Sequence, residues 1–292
     1  MKRPWIALIG ITACIATTPR PFYVQCALVD RIADAAKAGP SEAKLVVLEI
    51  LERVAEGRMD TANPDLETPF GLRPGQLRGP EFKEKTVRAE ALQKIAELDV
   101  PEALAFLQNL TGPDFATHSG QLWPDAQVAL HRALLKRIPD EASQVRFLED
   151  TARTSVAYLW AVDELCDRGS QGSLPVVRAS IRRHDSTRRG EQRIAFCEAR
   201  MDIVSRNPDR IAALGSFLNA RAVPAESQVS PENRLVPWAI LQLRSMKSPR
   251  AHAELERFAD EIDDLPEGSP QKEALWGYRV TIRGAAPQRK RG

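Results

Sequence analysis

The hydrophobic residues of this chain recur with the period of an α-helix, most clearly between Val87 and Leu110. In the first half of this segment they follow one another at steps of four, four and three residues, which places them on one helix face. Pro101 suits the first position of a second helix, where its missing N–H has no intrahelical partner in any case. In that helix the apolar residues follow an i, i+3, i+4, i+7 pattern. The pattern therefore predicts two short helices joined by a tight turn at Val100-Pro101.

Variants of this helix pair recur to nearly the end of the chain, over residues 155–184, 189–219 and 231–262. Because one such pair exposes an apolar face on each helix, it must pack on its neighbours. The sequence therefore predicts an all-α fold, an α-solenoid of stacked antiparallel helix pairs. Leu45, Val156 and Leu241 are predicted to face its core. Trp123, Trp160, Trp238 and Trp276 are predicted to anchor the core or the contacts between repeats.

Three stretches carry the repeat pattern, and they read AEALQKIAELDVPEALAFL, WAVDELCDRGSQGSLPVV and WAILQLRSMKSPRAHAELERF. In these stretches the chain resembles the HEAT-repeat superfamily, especially the short bacterial HEAT-like repeats, over about Val87 to Ile262. The resemblance implies a curved superhelix whose concave surface binds proteins or peptides. It transfers no catalytic residues to this chain.

The N-terminal residues have the pattern of a secretory signal, since Lys2 and Arg3 precede an apolar run from Trp5 to Ala16. We therefore expect a signal peptide over residues 1–27 and an exported protein, periplasmic or extracellular. Two processing routes stay open. One is ordinary cleavage after Ala16, and the other is lipidation of Cys14, whose preceding residues resemble a bacterial lipobox and would give a lipid anchor.

The rest of the chain is predicted to contain a helix pair over 28–57, a loop over 58–80, the HEAT-like repeat domain over 81–284 and a disordered basic tail over 285–292. The loop has four prolines and three glycines and no hydrophobic period. Loops of this length are usually functional or disordered. Phe70 lies in it and is a candidate for docking into the concave surface.

Composition and charge restrict the class of protein. The chain is 43% hydrophobic and 27% charged, as in ordinary soluble proteins. Lys2, Arg3 and Arg20 lie in the expected signal, and without these three of the 41 basic residues, against 39 acidic ones, the mature chain has a net charge near −1. This near-zero net charge argues against a dedicated nucleic-acid binder.

The sequence carries no motif of a catalytic, metal or cofactor site. None of its four histidines (His118, His131, His184 and His252) belongs to an H-E-x-x-H motif, and there is no G-x-S-x-G, P-loop or G-x-G-x-x-G. The acidic run 260–267 lacks the spacing of a calcium loop and is predicted to be a solvated helix end. We therefore predict no catalytic residues, no metal and no cofactor.

Two cysteines of the repeats, Cys166 and Cys197, are 31 residues apart, close to one repeat. Ideal stacking would offset them by about 10 Å along the helix axes, beyond the reach of a disulfide. Two buried free thiols are the favoured prediction, and whether the two pair stays open.

The densest charge feature is formed by Arg178, Arg182, Arg183, His184, Arg188, Arg189 and Arg193. Its candidate binding residues, which we call the arginine edge, are Arg178, Arg182, Arg183, Arg188 and Arg189. Guanidinium groups gathered in this way can bind carboxylates or phosphates. The competing interpretation is a surface whose arginines pair with Asp185 and Glu191. Trp123, which ends the loop before the next helix, is a further candidate binding residue.

The function that these features favour is a non-enzymatic scaffold of the bacterial cell envelope that binds a protein or peptide partner, an acidic one if the arginine edge takes part. The alternative is an envelope lyase or hydrolase of the α-helical toroid type, with His118 or His131 beside a carboxylate in a cleft.

Overall fold

The computed structural model describes residues 22–37, 39–56, 87–112, 123–222 and 231–283. All regular structure in these ranges is helical, and they contain no strand, so the predicted all-α class is confirmed. The helices are α1 Phe22–Lys37, α2 Ser41–Ala55, α3 Val87–Glu97, α4 Pro101–Leu110, α5 Trp123–Leu135, α6 Glu141–Thr154, α7 Tyr158–Asp167, α8 Leu174–His184, α9 Arg188–Ser205, α10 Arg210–Phe217, α11 Pro231–Ser245, α12 Pro249–Asp263 and α13 Pro270–Arg283. None of these helices is long and apolar enough to cross a membrane.

The chain divides into two compact units. The first comprises Met1–Phe147 with Ser155–Ala157, and the second comprises Leu148–Thr154 with Tyr158–Gly292. The predicted loop 58–80 and the tail 285–292 lie outside the described residues, as does most of the predicted signal segment 1–27.

In the first unit, α1 packs on α2 and α3 packs on α4, so each pair of consecutive helices forms a hairpin. The α3 helix also contacts α1, α2 and α5, and α4 contacts α2 and α5. Fully buried side chains such as Leu51, Leu92 and Leu107 fill the core between the helices. Consecutive hairpins of this unit therefore share one apolar core.

Polar side chains connect the same hairpins of the first unit. Lys94 on α3 pairs with Asp30 on α1 at 2.9 Å. The Arg88 Nε on α3 donates a hydrogen bond of 2.9 Å to the carbonyl oxygen of Ala55, at the end of α2. That carbonyl has no acceptor role inside its own helix, so the bond satisfies a group that the helix end leaves free.

In the second unit, the hairpins are α7–α8, α9–α10 and α11–α12. The α9 helix also contacts α7 and α11, and α12 contacts α10 and α13. The core of the last two hairpins and α13 includes Leu214, Leu243, Phe258, Ile262 and Leu275. Within this unit too, each hairpin lies against the next.

The acidic run at the end of α12 is a solvated helix end only in part: the Asp260 and Glu267 side chains are 69% and 91% exposed, but Asp260 and Asp263 also pair with α13. Arg283 on α13 pairs with Glu256 and Asp260 at 2.7 Å and with Asp263 at 2.9 Å, and Arg279 pairs with Asp263 at 3.0 Å. The carboxylates therefore fasten α13 to α12. The sequence could not show this because the pairing depends on how the two helices face each other.

Three apolar residues predicted to face the core are exposed instead: Leu45 by 40%, Val156 by 47% and Leu241 by 62%. Val156 precedes α7 and lies in the turn after α6, so it belongs to no helix face. Leu45 and Leu241 lie beside the buried stripes of α2 and α11. In both helices more than one apolar stripe is present, and packing decides which one is buried.

The tryptophan predictions are confirmed for Trp160 and Trp238, which are each 8% exposed. Trp276 is 42% exposed, so its assignment to the core is wrong. The guanidinium of Arg279 lies 5.1 Å from the centre of the Trp276 ring, a cation–π contact on the surface of α13.

Cys166 and Cys197 are buried free thiols, but the predicted offset between them is wrong. A hydrogen bond to Cys197, together with burial, raises the pKa of the Cys166 thiol. Cys166 is the ninth residue of α7 and Cys197 the tenth of α9, so the two have nearly the same register when each helix is counted from its own start. The two thiols are therefore neighbours in the core.

Candidate functional site

The turn between α8 and α9 positions the predicted arginine edge. The Thr187 hydroxyl caps α9 by accepting a hydrogen bond from the Arg189 N–H at 3.2 Å. The Asp185 carboxylate in turn accepts a bond of 3.0 Å from the Thr187 N–H. Gly190 packs so closely on Asp185 that an added Cβ would overlap the carbonyl oxygen of that residue. These contacts fix the start of α9 and the directions of its first side chains.

Three of the five predicted arginines already have partners within the chain. The Arg178 Nε pairs with Glu198 at 2.7 Å. Arg182 donates two hydrogen bonds to Glu191, at 2.7 and 3.0 Å. Arg183 donates to a backbone carbonyl of α6. These arginines connect α8 with α9 and α6. The pair of Arg182 and Glu191 is one that the competing interpretation predicts, in which the arginines pair with acidic residues of the chain.

The other two predicted arginines, Arg188 and Arg189, are exposed, and so is Arg193 one turn later. The guanidinium groups of these three residues form no hydrogen bond or ion pair with any part of the chain that the structure describes. We call Arg188, Arg189 and Arg193 the α9 arginine cluster. Arg189 and Arg193 are four residues apart, so they lie on one face of α9. The cluster is the part of the predicted edge that remains available to a partner.

An aromatic stack lies beside the cluster. The His184 ring at the end of α8 stacks on Tyr158 at the start of α7, with ring centroids 3.8 Å apart and 18° between the planes. Burial raises the pKa of Tyr158, while the charge of Arg193 acts in the opposite direction. Hydrogen bonds from Thr187 lower the pKa of Asp185, and the charges of Arg189 and Arg193 add to this effect. Asp185 therefore stays ionised and offsets part of the cluster's positive charge.

The two other predicted binding residues are not placed by the structure. Phe70 lies outside the described residues, and Trp123 is the first residue of α5, with its side chain outside the description. Their proposed roles stay predictions.

A buried polar network in the second unit was not predicted from the sequence. Arg200 on α9 is 4% exposed and pairs with Asp163, at 2.8 Å, and with Asp167, both on α7. Its guanidinium also lies 5.4 Å from the centres of the Phe196 and Trp238 rings. Burial lowers the pKa of Arg200, but the two carboxylates outweigh that effect and the net pKa is raised.

Asp167 extends this network to α11. Its carboxylate accepts a hydrogen bond of 2.8 Å from the Trp238 Nε1 and one of 3.0 Å from the Gln242 amide. The side-chain Oε1 of Gln242 accepts a hydrogen bond from the Arg210 guanidinium on α10. The network therefore joins three hairpins of the second unit. The two aspartates four residues apart, inside the apolar segment WAVDELCD, were the available sequence signal.

The histidines lie in separate places. The His131 Nδ1 is 2.7 Å from the carbonyl oxygen of Gln127 in its own helix. His184 belongs to the aromatic stack, and His252 is exposed with its Nε2 3.9 Å from Glu256. His118 lies outside the described residues. Among the residues that were placed, no group of three or more His, Cys, Asp or Glu side chains could hold a metal ion.

No protein-family model, no curated protein and no solved structure matches this chain. The resemblance to HEAT repeats therefore stays a prediction.

Proposed function

We propose that this chain is a non-enzymatic scaffold of the cell envelope that binds an acidic segment of a protein or peptide. The observation that carries the proposal is the α9 arginine cluster, three exposed guanidinium groups that form no hydrogen bond or ion pair with the placed side chains. The Arg200 guanidinium is buried and pairs with Asp163 and Asp167 of its own chain, so it is not presented to a partner. The cluster is different, because its three guanidinium groups are exposed and can bind an external anion.

The position of the cluster on its helix supports this reading. Arg188 and Arg189 occupy the first turn of α9, where the exposed N–H groups and the helix dipole make positive charge unfavourable. Cations that merely serve solubility would be better placed at a C-terminus, as Arg182 and Arg183 are on α8. Residues that oppose local stability often serve binding.

Contacts between consecutive hairpins support the scaffold part of the proposal. In each compact unit the hairpins share a core with their neighbours in chain order, as repeats of a solenoid do. We therefore propose a HEAT-like α-solenoid as the finer description of the fold. Export rests on the sequence pattern of residues 1–27 alone, and it places the acidic partner in the cell envelope.

The proposal predicts that an acidic peptide binds through the α9 arginine cluster. Fluorescence anisotropy would follow a labelled dodecapeptide of alternating glutamate and serine. The variant with Arg188→Ala, Arg189→Ala and Arg193→Ala should bind it at least about ten-fold more weakly, since three charge-assisted contacts are lost. Removing cations from a helix N-terminus does not weaken the helix, so this variant should fold normally.

A matched control loses the same number of positive charges elsewhere, at the exposed residues Arg53, Arg146 and Arg206. This control should bind the peptide within about two-fold of the original protein, because screening weakens distant charges at 0.15 M salt. Equal weakening in both variants would show a diffuse charge effect and contradict the proposal. So would the absence of any binding by the original protein.

A further inference from the structure

A small pocket lies in the second unit where the turn between α11 and α12 meets α13. Its volume is about 370 Å³, and its apolar wall is formed by Leu243, Leu255 and Ile282. Ligand pockets in proteins usually enclose roughly 300–1,000 Å³. This pocket is at the small end of that range, so it suits one or two residues of a partner.

The rim of the pocket is cationic. Arg244 and Lys247 supply its positive charges, His252 also lines it, and no acidic residue is found among the described residues that do so. Arg244 and Lys247 are exposed, and their side chains make no hydrogen bond or ion pair with any residue placed in the structure. The carboxylate near His252 is that of Glu256, which Arg283 holds at 2.7 Å. The rim therefore attracts an anion that the chain itself does not supply.

The backbone at the rim points to the same ligand charge. Lys247 has a φ of 47°, in the left-handed region where glycine commonly follows a helix end. A lysine in this conformation costs stability relative to glycine, but it places a second cation beside Arg244.

We propose that this pocket binds the C-terminal residue of a peptide whose last side chain is apolar. Such a residue joins an apolar side chain to a carboxylate within the small volume that the pocket offers. An internal aspartate or glutamate has the charge without the apolar body, and a long acyl chain exceeds the space. This inference rests on the proposed peptide-binding function, but it concerns a site separate from the α9 arginine cluster.

The test uses two peptides of glycine and serine that end in leucine, one with a free carboxylate and one amidated. Isothermal titration of the full chain should show that the free acid binds at least about ten-fold more tightly than the amide. The variant with Arg244→Ala and Lys247→Gly should lose this preference. Because Lys247→Gly relieves the left-handed backbone, the variant should remain folded, which circular dichroism would verify.

A control variant with Arg53→Ala and Arg206→Ala loses two positive charges elsewhere and should keep the preference. Equal binding of acid and amide, or a preference that survives in the pocket variant, would overturn the inference. Tighter binding of decanoate than of the leucine peptide would assign the pocket to lipid acids and also overturn it. The variant with Arg188→Ala, Arg189→Ala and Arg193→Ala separates the two proposals. It should bind the acidic peptide more weakly, but its affinity for the leucine peptide should be unchanged.

Discussion

Replacing Arg200 by alanine is expected to lower the free energy of unfolding by about 3 kcal/mol. Removing one partner of a buried ion pair typically costs about 3–5 kcal/mol, because it leaves an uncompensated charge in the interior. Asp167 is 22% exposed and would lose its strongest partner, whereas Asp163 is 59% exposed and could be solvated again. This difference places the expected effect near the lower end of the range. The loss of the cation–π contacts that Arg200 makes with the Phe196 and Trp238 rings adds to it.

The measurement is urea denaturation followed by far-ultraviolet circular dichroism, with the slope of the transition checked for change. Arg206→Ala is the matched control on the same helix, because Arg206 is 66% exposed and pairs only locally with Asp202. It should change stability by less than about 1 kcal/mol. If the two variants were equally stable, the network around Arg200 would not hold the hairpins of the second unit together.

Replacing Gly190 by alanine is expected to destabilise the protein by about 2–3 kcal/mol, the upper part of the roughly 1–3 kcal/mol that extra volume costs in a closely packed site. The atom that a Cβ would overlap is the carbonyl oxygen of Asp185, and a backbone atom cannot move away by a change of rotamer. The start of α9 would have to shift. Binding of the acidic peptide should therefore weaken together with stability, since the first two arginines of the α9 cluster move with it.

Gly277→Ala is the control for this substitution. Gly277 is exposed within α13 and has no atom near the position of an added Cβ. Alanine there should stabilise the helix by up to about 1 kcal/mol, because alanine has the higher helix propensity. Thermal denaturation of both variants gives the comparison. Similar shifts in the same direction would mean that the contact between Gly190 and Asp185 does not constrain the turn.

The sequence predicted the helices best where the hydrophobic period and the turn residues indicate the same helix boundaries. The segment from Val87 to Leu110 forms α3 and α4 as expected, because its apolar residues follow a single stripe and Pro101 begins the second helix. The prediction failed for Leu241, which belongs to a helix with more apolar residues than one face can hold. Which stripe is buried depends on the neighbouring helices, and a single sequence does not contain that information.

The candidate site was predicted in part for a similar reason. Arginine density identified the α8–α9 region, but it could not show that Arg178 and Arg182 pair with glutamates of α9 while Arg188 and Arg189 stay unpaired. Which arginines form ion pairs depends on how α8 and α9 cross each other. The neighbouring positions of Cys166 and Cys197 were missed because the offset was estimated without the actual starting residues of α7 and α9.

The most direct test of the account is a reversal of charge in the α9 arginine cluster. The variant with Arg188→Glu, Arg189→Glu and Arg193→Glu should fold, since acidic residues suit the first helical turn at positions 188 and 189 and Arg193 is exposed. Its dissociation constants would be measured by anisotropy for the glutamate–serine peptide and for a lysine–serine peptide of equal length. The account predicts that the preference inverts: the variant should no longer bind the acidic peptide and should bind the basic one. Unchanged binding of the acidic peptide would contradict it.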